Sequence, residues 1–288
     1  MEAKPTVAIV GAGNLGTALA LSLIDARYKI EAIITRREGK SLARARRLAR
    51  ATGARLVNGA QGLRVDVLWL CVPDGAIAKA AESLAEAFDG RVALHSSGVL
   101  TSDELEPFRQ AGASVASAHP LMTFVKGSRP SLAEVSFAIE GDKGAVRLVR
   151  RLVRDLGGTP YLIGKDEKNA YHAWGTFASP LLTTLLATTE QVAALAGVKA
   201  TAARRRMLPI LRQTVENYAM LGAPAGFSGP IIRGDVETIR RHLEVLQRAR
   251  FPRTVYLALA AAAVEYLPAR NPASLRRLLA AVSRTSSK

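Results

Sequence analysis

The order of strand and helix signals predicts an α/β protein: a doubly wound, mostly parallel sheet, followed by an all-helical second domain. Three observations carry this. Short apolar, β-branched runs alternate with helical stretches as far as Gly164. The glycines of Gly11-Ala12-Gly13-Asn14-Leu15-Gly16 fall between the first such run and the first helical stretch. From Asp166 onward no convincing strand is found. The expected domains are residues 1–164 and 165–288.

The elements follow in order. Thr6–Val10 is the first strand, and Asn14–Arg27 has helical spacing. Ile30–Thr35 is a second strand, and the Arg-rich Ser41–Ala51 an amphipathic helix. Val65–Val72 is a strongly apolar strand, suited to the centre of a parallel sheet. Ile77–Phe88 is helical and Val92–His95 a strand; Thr101, Ser102 and Glu104 resemble a capping box opening the next helix. Val115–Ser117, Val135–Ile139 and Tyr161–Ile163 are further strands, with a helix across Lys143–Asp155. Helices are then expected near 166–197, 200–221, 235–249, 252–267 and 272–283, separated by Gly197, the Gly222–Pro230 segment, Phe251-Pro252 and Pro268–Pro272.

Composition excludes several classes. Hydrophobic residues make up 49%, enough for a substantial core, and aromatics only 5%, too few for a base-stacking platform. The net charge of +16 raises the possibility of a polyanionic partner. The basic residues are spread over several helical segments, however, so no nucleic-acid partner is expected. Cys71 is the sole cysteine and forms no internal disulfide, which fits a reducing compartment. No leader is read at the amino end, and the apolar stretches Ala173–Thr189 and Thr254–Leu267 are too short or interrupted to span a bilayer. A cytoplasmic protein without a membrane partner is expected. The apolar helices after Ala173 offer more hydrophobic surface than a small domain buries alone, which predicts a homodimer.

The glycine run has the context that a dinucleotide site requires: strand, tight turn, helix amino terminus. Gly11 permits the turn, Gly13 lets a pyrophosphate approach the backbone, and Gly16 allows close packing of helix on strand. Asn14 and Leu15 open the helix whose free N–H groups and dipole attract phosphate. This is a Rossmann-type arrangement. NAD sites usually place an acid at the end of the second strand; here stand Thr35, Arg36 and Arg37, with Ser41 close behind. Arginines bind a 2′-phosphate, so NADP(H) is the expected cofactor. Val72 and Pro73, at the carboxyl edge of the sheet, are expected beside the nicotinamide, with Cys71 a small buried hydrophobe. His95, Ser96 and Ser97 leave a strand at the same edge, where they can meet the nicotinamide or a substrate carboxylate; His119 leaves the next strand likewise. Arg233 and Asp235 lie in a Gly/Pro-broken segment, where Arg233 can bind a substrate carboxylate with Asp235 orienting it, or Asp235 can simply cap a helix. His95, His119, His172 and His242 form no pair at metal spacing, so no metal is expected.

With Gly11–Gly16, the chain carries His95-Ser96-Ser97-Gly98, His119-Pro120-Leu121 with Phe124, Tyr171-His172-Ala173, and Ser228-Gly229-Pro230-Ile231-Ile232-Arg233-Gly234-Asp235. Through these it resembles, over nearly its whole length, oxidoreductases that pair a Rossmann-like domain with the helical domain of unknown function 2520. That group is similar to the 6-phosphogluconate and β-hydroxyacid dehydrogenases. Pro180 departs from the pattern, which often has Asn there. The resemblance implies a nicotinamide-dependent reductase with a dimer-forming helical domain. It also implies a catalytic role for Lys168, since the related dehydrogenases carry Lys followed four positions later by Asn; here His172 takes the Asn place, on the same helix face. Lys168, His172 and His119 are the candidate catalytic residues, donating a proton as hydride reaches a carbonyl or imine carbon. The expected substrate is a small carbonyl compound, such as a ketopantoate-like oxo acid, or an imine. The alternative is a non-catalytic NADP-binding or redox-sensing module.

Overall fold

The structure is a computed structural model in which residues 3–35 and 40–285 are described. Eight strands form one sheet in the order β3-β2-β1-β4-β5-β6-β7-β8. These are β1 (Val7–Val10), β2 (Ile30–Ile34), β3 (Arg55–Val57), β4 (Val67–Leu70), β5 (Val92–His95), β6 (Ser114–Pro120), β7 (Ser136–Gly141) and β8 (Thr159–Leu162). Every position of β1, β4 and β5 is buried, because helices cover both faces of a parallel sheet and leave no polar side. Helices α1 (Asn14–Asp25), α2 (Lys40–Thr52) and α5 (Lys143–Asp155) pack on one face through Leu19, Leu48 and Leu152. Helices α3 (Ile77–Leu84) and α4 (Glu106–Gln110) pack on the other through Ile77 and Phe108.

Three features add to or differ from the sequence expectation. Strand β3 was not expected; it has three residues, none fully buried, at the sheet edge, too few to show alternation. β7 runs antiparallel to β6, while the other neighbours are parallel. A parallel pair needs a crossover, usually helical, and the segment 121–135 between β6 and β7 holds no helix. The capping motif also forms differently: the Thr101 side chain accepts from the Asp103 N–H, and a 3-10 turn, Ser102–Leu105, precedes α4.

The chain divides into two compact units, residues 1–178 and 179–288. Helix α6 (Lys168–Thr176) belongs to the first unit. The continuous helix expected over 166–197 is interrupted by a π-helical turn, Phe177–Leu181, before α7 (Leu182–Leu195). Pro180 lies in this turn; it has no N–H to donate and its ring crowds the preceding turn, which widens the helix there.

The second unit continues with α8 (Ala200–Gly226), α9 (Pro230–Arg233), α10 (Val236–Val245), α11 (Arg250–Tyr266) and α12 (Pro272–Thr285). Its core joins Ile239 and Leu243 of α10 to Val264 of α11 and Leu275 of α12. Helices α7 and α8 contribute little to it: α7 buries no residue and α8 only Ala203. Ile210, Val215, Tyr218 and Met220 are all more than half exposed. Among the described residues no single helix is long and apolar enough to cross a membrane.

Candidate active site

The glycine turn joins β1 to α1. Gly11 has φ +98°, and a Cβ there would stand 2.7 Å from the Cys71 carbonyl oxygen. A Cβ on Gly16 would stand 2.1 Å from the Gly11 oxygen, so helix and turn touch only because position 16 is bare. Gly13 is different: a Cβ there would meet nothing within 4 Å. It caps α1 without a side-chain hydrogen bond, and the first turn of α1 has no acid to neutralise the positive helix end. Gly13 opens onto a cavity of about 720 Å³, walled by Gly11, Thr35, Ser41, Val72 and Pro73. This open approach to free N–H groups fits a pyrophosphate. The Asn14 side chain is engaged elsewhere, on the Phe124 carbonyl (3.1 Å), and Leu15 packs against the core.

Arg44 of α2 and Lys79 of α3 also line the cavity, and no carboxylate does among the described residues. Sequence reasoning placed the cofactor's cations at Arg36 and Arg37, which lie outside the described residues. The available signal for Arg44 was its place three residues after Ser41 on the same helix. Cys71 is buried, and burial pushes its thiol pKa up, away from the thiolate.

Val10, Leu70, His95 and Ser117 stand in register across β1, β4, β5 and β6, so the turns that follow share one edge. Three strand spacings, about 14 Å, separate the first from the last. His95 and Ser97, expected to meet cofactor or substrate, hold their own turn together. The Ser97 N–H donates to His95 Nδ1 (3.0 Å), so Nε2 carries the proton and donates to the Thr101 carbonyl (2.9 Å). Burial pushes the imidazole pKa down to about 4. The Ser97 hydroxyl accepts from the N–H groups of Val99 and Leu100. Ser96, also buried, accepts from the Trp69 indole (2.7 Å).

Lys168, the first residue of α6, is buried at 1% exposure. Its ammonium donates to the Ser97 carbonyl (3.1 Å) and the Ser117 hydroxyl (2.7 Å), with Glu140 Oε1 at 4.0 Å. Glu140 in turn accepts from the N–H and hydroxyl of Ser102. Burial lowers the amine's pKa, and Glu140 opposes the shift. Lys168 was expected to donate a proton to substrate; in the structure its amine is bonded on two sides and ties the β5 and β6 turns together. Sequence reasoning missed Ser117 and Glu140; no local pattern marks them.

His119 and His172 were also expected at this site, and the structure brings them together. Their ring centroids lie 6.2 Å apart, and a Cβ on Gly98 would meet His172 Cδ2 at 2.7 Å and His119 Nε2 at 3.0 Å. Gly98 thus leaves room beneath two imidazoles. His172 is exposed and His119 partly buried. Burial, Lys168 and His172 push the His119 pKa down to about 4, so it is neutral at neutral pH. Behind it stands Tyr171, whose hydroxyl lies 2.7 Å from His119 Nδ1.

In the second unit, Asp235 takes the capping alternative. Its carboxylate accepts the Thr238 N–H (3.0 Å) and hydroxyl (2.7 Å) as the amino-terminal cap of α10, and these bonds, with the Arg233 charge, lower its pKa. Arg233 ends α9.

A family model described as a Rossmann-like domain matches residues 1–120, and the domain of unknown function DUF2520 matches residues 135–263. No curated protein sequence matches the chain. Solved structures share its fold. A Bacteroides fragilis protein described as an NADP oxidoreductase is similar at TM-score 0.74 and 20% identity, covering 90% of this chain and 97% of that one. Protein TM1727 from Thermotoga maritima gives 0.69 and 22%, covering 98% and 100%. A reductive aminase from Aspergillus terreus, in complex with NADPH4, cyclohexanone and allyl amine, gives 0.65 and 16%, covering 96% and 99%.

Proposed function

From a chain that joins a Rossmann-like domain to DUF2520, we infer an NADP(H)-dependent oxidoreductase that reduces a small carbonyl or imine substrate by hydride transfer. The observation that carries this is the bare Gly13 facing a cavity lined by Arg44 and Lys79 and by no described carboxylate. The N–H groups at the start of α1 hold the pyrophosphate. Arg44 and Lys79, with Thr35 and Ser41, hold the 2′-phosphate. Val72 and Pro73 flank the nicotinamide, which when bound supplies the hydride. His119 and His172 are the residues that move a proton to the substrate heteroatom, and Lys168 keeps the turns around them in place. Structures that share this fold include a Plasmodium falciparum pyrroline carboxylate reductase with NADP bound and an imine reductase from a Pseudomonas species, which supports this reading.

The active form is a homodimer. The apolar side chains exposed on α7 and α8 are worth roughly 1.5–3 kcal/mol each when fully buried, and a second copy supplies a matching surface. The function is tested by following NADPH absorbance against panels of oxo acids, simple ketones and cyclic imines. Turnover in one panel, with NADPH preferred over NADH, is expected. NADPH binding without turnover in any panel would replace the enzyme with a non-catalytic NADP-binding module.

A further inference from the structure

We propose that Tyr171 is a positioning residue: its phenol donates to His119 Nδ1 and fixes the ring in the tautomer that presents Nε2–H over Gly98. The catalytic consequence rests on the function proposed above; the tautomer itself does not. The phenol has one proton and faces three acceptors: two atoms of His119, and the Tyr161 hydroxyl, which makes no hydrogen bond of ordinary length among the described residues. His119 Nδ1 lies at 2.7 Å and the His119 carbonyl oxygen at 3.3 Å. A hydroxyl donor bond has its usual length near 2.7–2.8 Å, so the proton goes to Nδ1. A neutral imidazole that accepts at one nitrogen carries its proton on the other.

The ring is kept neutral by its surroundings. Burial, the Lys168 ammonium and His172, both on α6, disfavour the imidazolium. From α6 and β8, the other titratable groups at the pair are Tyr171 itself and Tyr161. Tyr171 cannot readily turn away. It is 6% exposed, and its ring meets the edges of His119 (5.4 Å), Tyr161 (6.2 Å) and Trp174 (6.1 Å). His119 Nε2 has no hydrogen-bond partner among the described residues, and it faces the space that the missing Gly98 side chain leaves.

In the proposed reduction, carbon receives hydride and the C=O or C=N π pair moves to the heteroatom. The heteroatom takes the Nε2 proton while Nδ1 takes the phenol proton; Nε2 then recovers a proton from water, and Nδ1 hands its proton back to the phenolate. The pair returns to its starting state. Without the phenol the ring samples both tautomers, and part of the population presents a bare Nε2.

The test is nitrogen-15 NMR of the imidazoles in ligand-free protein at pH 7, with His119 assigned by its loss in His119→Gln. The wild type is expected to show a protonated Nε2 and an unprotonated, hydrogen-bonded Nδ1. Tyr171→Phe, which keeps the ring and its packing, should show mixed tautomers. With a substrate in hand, Tyr171→Phe should lower kcat about 10- to 100-fold at unchanged NADPH affinity. A wild-type ring protonated at Nδ1, or a tautomer indifferent to Tyr171→Phe, would overturn the proposal. Neither result depends on turnover, so absence of activity would count against the proposed function alone.

Discussion

Replacing Lys168 by Met keeps the length of the buried stem and removes the charge. The wild-type ammonium makes two hydrogen bonds, to Ser97 and Ser117, and faces Glu140. Breaking a buried ion pair costs about 3–5 kcal/mol, because one charge is left without its partner. Two effects reduce this here. Met no longer requires a buried ammonium, and Glu140 keeps both bonds from Ser102. A net loss of about 3 kcal/mol follows, which for a unit of this size lowers Tm by roughly 6–12 °C. Denaturant unfolding of Lys168→Met, Glu140→Gln and the double variant measures it, with a coupling of about 1–3 kcal/mol between the two sites. The pH dependence carries a sign. Burial sets the native amine pKa below its ordinary 10.5. Between the lowered native value and 10.5 the unfolded chain binds more protons, so wild-type stability rises with pH across that window. Lys168→Met should lack this rise. A loss under 0.5 kcal/mol with no coupling would refute the buried-pair account.

Three further outcomes follow from other parts of the structure. The His95 and His119 pKa values sit near 4 in the folded state, against 6.5 for the free side chain, so the unfolded chain gains protons first as pH drops. Stability should therefore fall between pH 6.5 and 4, and His95→Asn should flatten part of that slope in a series of unfolding curves. Gly98→Ala should leave NADPH affinity intact while lowering turnover at least tenfold, because the new methyl would collide with both imidazoles; unchanged kcat would show that the rings are not at the reacting centre. Light scattering should give twice the chain mass, and Ile210→Lys with Met220→Lys should shift it toward the chain mass. A wild-type monomer at micromolar concentration would contradict the dimer.

What the sequence disclosed depended on whether a signal was local. β1, β4 and β5 were legible because burial on both faces demands continuous apolar runs. The glycine turn was legible because Gly11 and Gly16 each answer a separate steric need within six residues, with Gly13 left bare toward the cavity between them. The antiparallel pairing of β7 was not, since strand direction depends on a partner elsewhere in the chain. In the run Lys165-Asp166-Glu167-Lys168 both lysines look solvated, yet Lys165 reaches Asp103 at the surface (2.6 Å) while Lys168 turns inward. Only the helix start and the depth of the β5 and β6 turns separate them. Arg44 and Lys79 were hidden for another reason: among 40 basic residues, only the spacing from Ser41 hints at Arg44, and nothing marks Lys79. Tyr171 was visible as part of a motif, but its bond to His119 spans 52 positions.

The central claim is that the Gly13 cavity is built for a dinucleotide bearing a 2′-phosphate. Calorimetric titration of NADPH and NADH into the wild-type protein and into Arg44→Ala/Lys79→Ala tests it directly. A charge-assisted hydrogen bond contributes about 1.5–3 kcal/mol, or roughly 10- to 150-fold in affinity. The account predicts that the wild type binds NADPH at least tenfold more tightly than NADH, and that the double variant loses this preference while keeping its NADH affinity. Equal affinities in the wild type, or a variant that weakens both cofactors alike, would contradict it.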